Sequence, residues 1–264
     1  MDRGPAGAIV VAVDDTGSAD DAVDWAAAEA AARHRPLRVI HALAVPQSVD
    51  PCATAAVIAQ VLTERARAED LLTRARRRAL TVCSDLDVAT AVIDGPVTWA
   101  LRREAHEGAM LVLGSRDRRT RWGRLLADSV SGAVTMDAPC PVVVVRRRTH
   151  HARRGPTVVV GLELGAAGSA ALRFAFAAAE QRGIPVTVVA TRDAADLTEA
   201  SAGAALLVLP GVGRRSILRS TPSVGRALLT QPGCPLAVVR TDVAVGRSQP
   251  YEKLERWTAS SGSD

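Results

Sequence analysis

Continuous apolar runs alternate along the chain with segments in which apolar and polar residues recur at helical spacing. Ile9-Val-Val-Ala-Val-Asp14, Pro36-Leu-Arg-Val-Ile40, a stretch near Leu86–Ile93, Leu111-Val-Leu113 and Pro139-Cys-Pro-Val-Val-Val-Val-Arg146 are the apolar runs. They lack the strict alternation of a half-exposed strand, and read as parallel strands covered on both faces. Helical segments fall between them. One holds Ala22–Ala28, a long amphipathic one covers roughly Ala53–Leu80, a short one lies near Val97–Ala105, and another covers Leu125–Met136. Val57, Val61, Leu62, Leu71, Leu72 and Ala75 form the apolar side of the long helix. The order is β-α-β-α-β-α-β-α-β, a series of βαβ units with right-handed crossovers.

The same pattern then recurs. Val158-Val-Val-Gly-Leu-Glu163 repeats Ile9–Asp14, Ala171-Leu-Arg-Phe-Ala-Phe-Ala177 repeats Ala22-Val-Asp-Trp-Ala-Ala-Ala28, and Pro185-Val-Thr-Val-Val189 repeats Pro36–Ile40, all 149 positions apart. Gly233-Cys-Pro-Leu-Ala-Val-Val-Arg240 repeats Pro139–Arg146 at a separation of only 94, so the second copy is 55 residues shorter between its ends. Leu207-Val-Leu209 follows Leu111-Val-Leu113 by 96, which places 53 of the missing residues before that strand. The first copy fills this stretch with the long helix, a strand and a short helix, and the second has only Thr191–Ala204. One strand and two helices are therefore expected to be missing, leaving four strands. The expected organisation is a complete unit over 1–147, a linker over 148–156, a shortened unit over 157–240 and a polar tail over 241–264. The apolar last strands, Val142–Val145 and Leu236–Val239, would invite aggregation if left at open edges, so the two copies are expected to pair with each other there.

Composition narrows the function classes. Nearly half of the 264 residues are apolar but only 3% are aromatic, so the core must be built from Ala, Val and Leu. The net charge is +5, and the densest basic stretches, Arg74–Arg78 and Arg146–Arg148, lie near a helix end and in the linker. Cations are favoured at a helix C-terminus, and no aromatics interleave these runs, so nucleic acid is not an expected partner. Cys52, Cys83, Cys140 and Cys234 show neither C-x-x-C nor metal spacing, and read as small buried thiols in a reducing compartment. No apolar run reaches the length of a membrane span and no leader pattern opens the chain, so a cytoplasmic location is expected and a membrane partner is not.

In an open parallel sheet, ligands bind beyond the carboxyl ends of the strands, where the strand order reverses. Three segments of the first copy point there: Asp14 ending the first strand, Gly114-Ser-Arg116 after the fourth, and Ser129-Val130 in the first half of the last helix. A loop and helix start of this kind offer backbone N–H groups to phosphates.

Together, Val-Ala-Val-Asp14 with Trp25-Ala26, Leu111-Val-Leu-Gly-Ser-Arg116, and Ser129-Val-Ser131 leading to Ala138–Arg146 resemble the universal stress protein family. The resemblance covers almost the whole chain as two tandem domains. It implies doubly wound α/β units of the adenine-nucleotide α-hydrolase-like type, with strand order 3-2-1-4-5, the second unit truncated. Some members bind ATP, through a pattern G-x2-G-x9-G-[ST] after the fourth strand. There the glycines admit the ribose and phosphates, the first-strand Asp holds the nucleoside, and the hydroxyl binds phosphate. This resemblance makes Asp14, Gly114, Ser115, Arg116, Ser129 and Val130 the cofactor-site candidates.

The pattern is damaged here. Its second glycine falls on Asp117 and its helix-entry glycine on Asp128, each adding a Cβ and a carboxylate where a polyanion would lie. Arg116, Arg118, Arg119, Arg121 and Arg124 surround the same loop and could offset that charge. In the second copy the positions of Asp14 and Gly114 hold Glu163 and Pro210, and Pro222 precedes the matching Ser223, so that site is expected to be lost. The cofactor expectation is none, or ATP bound weakly by the first unit. His41 without a partner, Asp20, Asp21 and Asp24 at a helix start, and the equivalent Trp25 and Phe174 all read as structural. No Ser/His/Asp set, metal cluster or P-loop occurs, so the expected function is non-catalytic binding or regulation in a stress response. A nucleotide sensor is the alternative, and a second copy of the chain stands as a further candidate partner.

Overall fold

The computed structural model describes residues 5–15, 18–44, 54–115, 138–146, 156–162, 168–190, 194–211 and 234–240, and statements of absence below refer to these. The first repeat supplies strands β1 (Ile9–Ala12), β2 (Leu37–Leu43), β3 (Val88–Asp94), β4 (Met110–Ser115) and β5 (Val142–Arg146). Between them run helices α1 (Ser18–Ala32), α2 (Thr54–Val82) and α3 (Val97–Glu107). The second repeat supplies β6 (Val158–Leu162), α4 (Ser169–Arg182), β7 (Val186–Ala190), α5 (Ala194–Ala200), β8 (Leu206–Pro210) and β9 (Leu236–Val239).

All nine strands lie in one sheet, in the order β3-β2-β1-β4-β5-β9-β8-β6-β7. Every neighbouring pair is parallel except β5 and β9, which run antiparallel with Val143 opposite Ala237. The first five strands keep the order 3-2-1-4-5, and the last four repeat it without a counterpart of β3. The α/β class with a mostly parallel sheet expected from the apolar runs is the one found.

Both faces of the sheet are covered over most of its width, which is why most strand residues are apolar. On one face α1, α2 and α4 pack over a continuous core that runs from Ile9 and Val11 through Val143 and Val145 to Val158, Val160 and Ala237. Two smaller cores fill the opposite face, one beneath α3 around Leu101 and Leu111, the other around Leu197 and Leu207. Helix α1 is Ala-rich, with Asp20 and Asp21 in its first turn where carboxylates favour the helix dipole. Two residues past its end, His34 with a φ of 50° lets the Arg35 N–H return to the Ala30 carbonyl at 3.0 Å. Gly183, the equivalent residue 149 positions on, caps α4 in the same left-handed conformation, with φ 61°.

Two expectations need correcting. The spacing puts Leu62 on the apolar side of the long helix, but it is 62% exposed. Among the described side chains of this helix, the buried ones begin at Ala68 and continue with Leu72, Ala75 and Ala79. The shortened copy has also lost one helix rather than two. Helix α5 stands where α3 stands in the first repeat, with Leu197 buried as deeply as Leu101, 96 positions earlier. It fits because Gly161 leaves room: a Cβ there would come within 2.8 Å of Leu197 and 2.6 Å of Leu209. The linker, the helix over Leu125–Met136 and the tail lie outside the described residues.

Candidate functional site

The strand order reverses between β1 and β4, whose onward connections leave in opposite directions, and the carboxyl ends of strands at such a point are where open α/β sheets bind ligands. Ala12 pairs with Leu113 across this point. Asp14 and Ser115 each lie two residues beyond that pair, so the first-strand carboxylate and the end of β4 reach the same rim. Gly114 and Ser115 stay within the strand, opposite Val145 and Arg146 of β5. Asp14 is half-buried and engaged by a partner of its own. Asp14, Gly114 and Ser115 therefore lie at the same end of two adjacent strands. Arg116, Ser129 and Val130, with Asp117 and Asp128, fall outside the described residues.

The second switch point is built differently. β8 ends at Pro210, opposite Val239, where the first repeat has Gly114 opposite Val145. Proline removes the backbone donor that a phosphate would use there. Gly211 follows, with its N–H donated to the Val239 carbonyl at 2.6 Å.

His41 lies in β2 near the same rim, and its Nδ1 sits 2.9 Å from the Val13 carbonyl. A carbonyl can only accept, so Nδ1 carries the proton and pins the ring to the end of the first strand. Asp20 and Asp24 have a packing role beyond the helix dipole. Arg78 of α2 donates to Asp24 at 2.6 and 2.7 Å and to Asp20 at 3.1 Å, clamping α2 across α1. Donating to the Asp24 carboxylate pushes the Arg78 guanidinium pKa higher still, against a smaller desolvation cost. One of the densest basic runs is thus partly consumed in holding two helices together. Cys140 and Cys234 are buried, and burial raises their thiols to about 12 and about 11, so both stay protonated and unreactive near neutral pH.

Sequence reasoning missed two buried ion-pair clusters. Arg38 interrupts the apolar run of β2, yet it is buried, and its Nε donates to Glu104 of α3 at 2.7 Å. Glu29 of α1 is buried where the two repeats meet. It accepts from Arg33 Nε at 2.6 Å, and its other oxygen pairs with Arg182 of α4. Arg33 also lies over the Phe174 ring at 5.3 Å, and Arg182 over the Trp25 ring at 5.9 Å. Arg33 and Arg182 are 149 positions apart, as are Trp25 and Phe174, so the crossed stacking is a pseudo-twofold contact. The shared offset was the available signal. Only Glu29 breaks the symmetry, since its counterpart is Ala178.

A hollow of about 590 Å³ lies along α3, lined by Pro96, Thr98, Trp99, Arg102, Arg103 and His106. It contains none of the switch-point residues. Among the described residues no cluster of His, Cys, Asp and Glu could hold a metal ion, and no helix is long and apolar enough to cross a membrane.

Comparison with known proteins agrees with this architecture. The model of the universal stress protein family matches residues 6–146. Universal stress protein Rv3134c of Mycobacterium tuberculosis is 30% identical over 196 residues, covering 73% of this chain and 68% of that protein. Universal stress protein Rv2623 of the same organism is 29% identical over 203 residues, covering 72% and 65%. The crystal structure of a universal stress protein from Archaeoglobus fulgidus superposes with a TM-score of 0.69 at 13% identity, covering 89% of this chain and 98% of that one. With the matched segment spanning the whole first repeat, from before β1 to the end of β5, the chain belongs to the universal stress protein family.

Proposed function

We propose that this protein is a non-catalytic binding and regulatory component of a stress response, in which the two repeats pair as an internal pseudo-dimer and any nucleotide site is confined to the first. The observation that carries this reading is the contrast between the two switch points. β4 ends in Gly114-Ser115 beside Asp14, whereas β8 ends in Pro210. A phosphate approaching the first meets backbone that a glycine leaves open, and one approaching the second meets a ring without an N–H. The non-catalytic part rests on the sequence, which holds no paired nucleophile and base and no P-loop. The surviving Asp14–Gly114 pair favours, as a second reading, a sensor that binds ATP weakly through the first repeat.

Titration calorimetry with ATP tests both readings. Wild type is expected to bind weakly or undetectably, because Asp117 and Asp128 oppose the phosphates. Asp117→Gly combined with Asp128→Gly is expected to tighten binding by about tenfold or more, since a desolvated carboxylate facing a phosphate costs ~2 kcal/mol. Tight binding by wild type would overturn the degenerate-site reading, and steady phosphate release would overturn the non-catalytic one. If the double variant also fails to bind, the sensor reading is lost.

A further inference from the structure

The deletion in the second repeat leaves part of the sheet without the cover it has in the first. In the first repeat β2 lies between β1 and β3 with α2 over it, and in the second its counterpart β7 is the outermost strand among the described residues. Val39 of β2 is fully buried, whereas Val188, 149 positions on, is 50% exposed. Ala27 of α1 is fully buried, whereas its counterpart on α4, Phe176, is 45% exposed. A larger apolar side chain thus stands where the covering helix has gone. Helix α4 contacts β7 and packs on the sheet face that carries Val186 and Val188, so Phe176 and Val188 are exposed on neighbouring elements that lack the cover α2 gives their counterparts.

The strand at this patch is Val186-Thr-Val-Val-Ala190, with no charge and no proline. Edge strands normally carry such residues to block pairing with other chains. We infer that the β7 edge and the Phe176–Val188 patch form a homodimer interface, in which β7 of two copies pairs antiparallel about a twofold axis at Val188. Three observations select a second copy as the occupant. β7 is self-complementary in this arrangement: Val188 meets its own copy, Val186 meets Ala190, Thr187 meets Val189, and no like charges oppose. The molecule already joins equivalent strands in this way, since β5 and β9 close the two repeats edge to edge and antiparallel. Reuse of α2 from a second copy is disfavoured by charge. In the first repeat Arg78 is received by Asp24, and the counterpart of Asp24 is Arg173.

Sedimentation velocity on the full chain is expected to show a dimer that dissociates on dilution. Val188→Lys is expected to weaken it at least about tenfold, or 1.4 kcal/mol. Ile58→Lys, at a similarly exposed apolar position on α2, is expected to leave it unchanged. Val188 is half exposed, so the lysine chain can reach water without disturbing the fold, and an unchanged far-ultraviolet circular dichroism spectrum checks this. Independently, Val188→Cys in a background with Cys52→Ser and Cys83→Ser is expected to give a covalent dimer on oxidation, and Glu180→Cys in that background is not. A monomer at every concentration would overturn the inference, whether the patch is then covered by this chain's own residues or by another protein. A dimer indifferent to Val188→Lys, or without the crosslink, would overturn it equally.

Discussion

Val39 and Val188 occupy the same place in the two repeats and differ only in what lies over them: α2 and β3 for the first, nothing among the described residues for the second. The residue type is identical, so the contrast isolates the effect of cover from that of sequence. Burying a valine against leaving it exposed is worth about 1.5 kcal/mol or more. The first repeat gains this at many positions through one 29-residue helix, whose second half supplies Ala68, Leu72, Ala75 and Ala79 and is tied down by Arg78. The second repeat lacks these contributions and shares instead in the common core, through the β5–β9 pairing and the cluster around Glu29. The lesson is that a repeat can lose a strand and a helix yet stay folded when one of its two sheet edges is closed by an intact sister.

The strongest way to break this comparison is to separate the repeats. Residues 156–240 expressed alone lose both the β5 edge and the Glu29 contact, and already lack a counterpart of α2. No cooperative monomeric thermal transition is expected, and calorimetry showing one would mean that the second repeat stands without its sister. A smaller test leaves the chain whole. Glu29→Ala strips Arg33 and Arg182 of their shared carboxylate in a nearly dry site, and is expected to cost about 3 kcal/mol in denaturant unfolding. A loss well under ~1 kcal/mol would show that the crossed stacking on Phe174 and Trp25 holds the repeats together without it.

The smallest expected effect concerns the helix caps. His34 and Gly183 hold the same left-handed position, but His34 carries a Cβ that this conformation penalises. His34 is exposed, so His34→Gly is expected to raise stability by about 0.5–1 kcal/mol, the left-handed penalty outweighing the added chain entropy. A lower midpoint in thermal unfolding would show that the imidazole makes a contact worth more than the strain.

What the sequence made legible of the candidate site is the placement of its local parts. Asp14, two residues beyond β1, and Gly114, within β4, lie where apolar runs stop, and their shared sheet end follows from the strand order that the family resemblance implies. The ion pairs were not legible. Arg38 stands in an apolar run, where its type argues against burial, and the Glu104 that makes burial tolerable lies 66 positions away. Glu29 reads as one more polar residue of α1, since nothing nearby announces an arginine arriving from 153 positions on.

By itself the sequence determined the βαβ series, the parallel sheet, the duplication and the place of the deletion. These depend on periodicity and on spacing along one chain, which local backbone geometry and burial impose directly. Only the tertiary structure decided that a short helix survives in the shortened repeat, that Leu62 faces away from the core, and that β5 and β9 meet antiparallel. It also decided that Val188 and Phe176 stand uncovered. Each of these turns on which distant surfaces come together in space, and apolar residues with the same local pattern are buried or exposed according to what arrives to cover them.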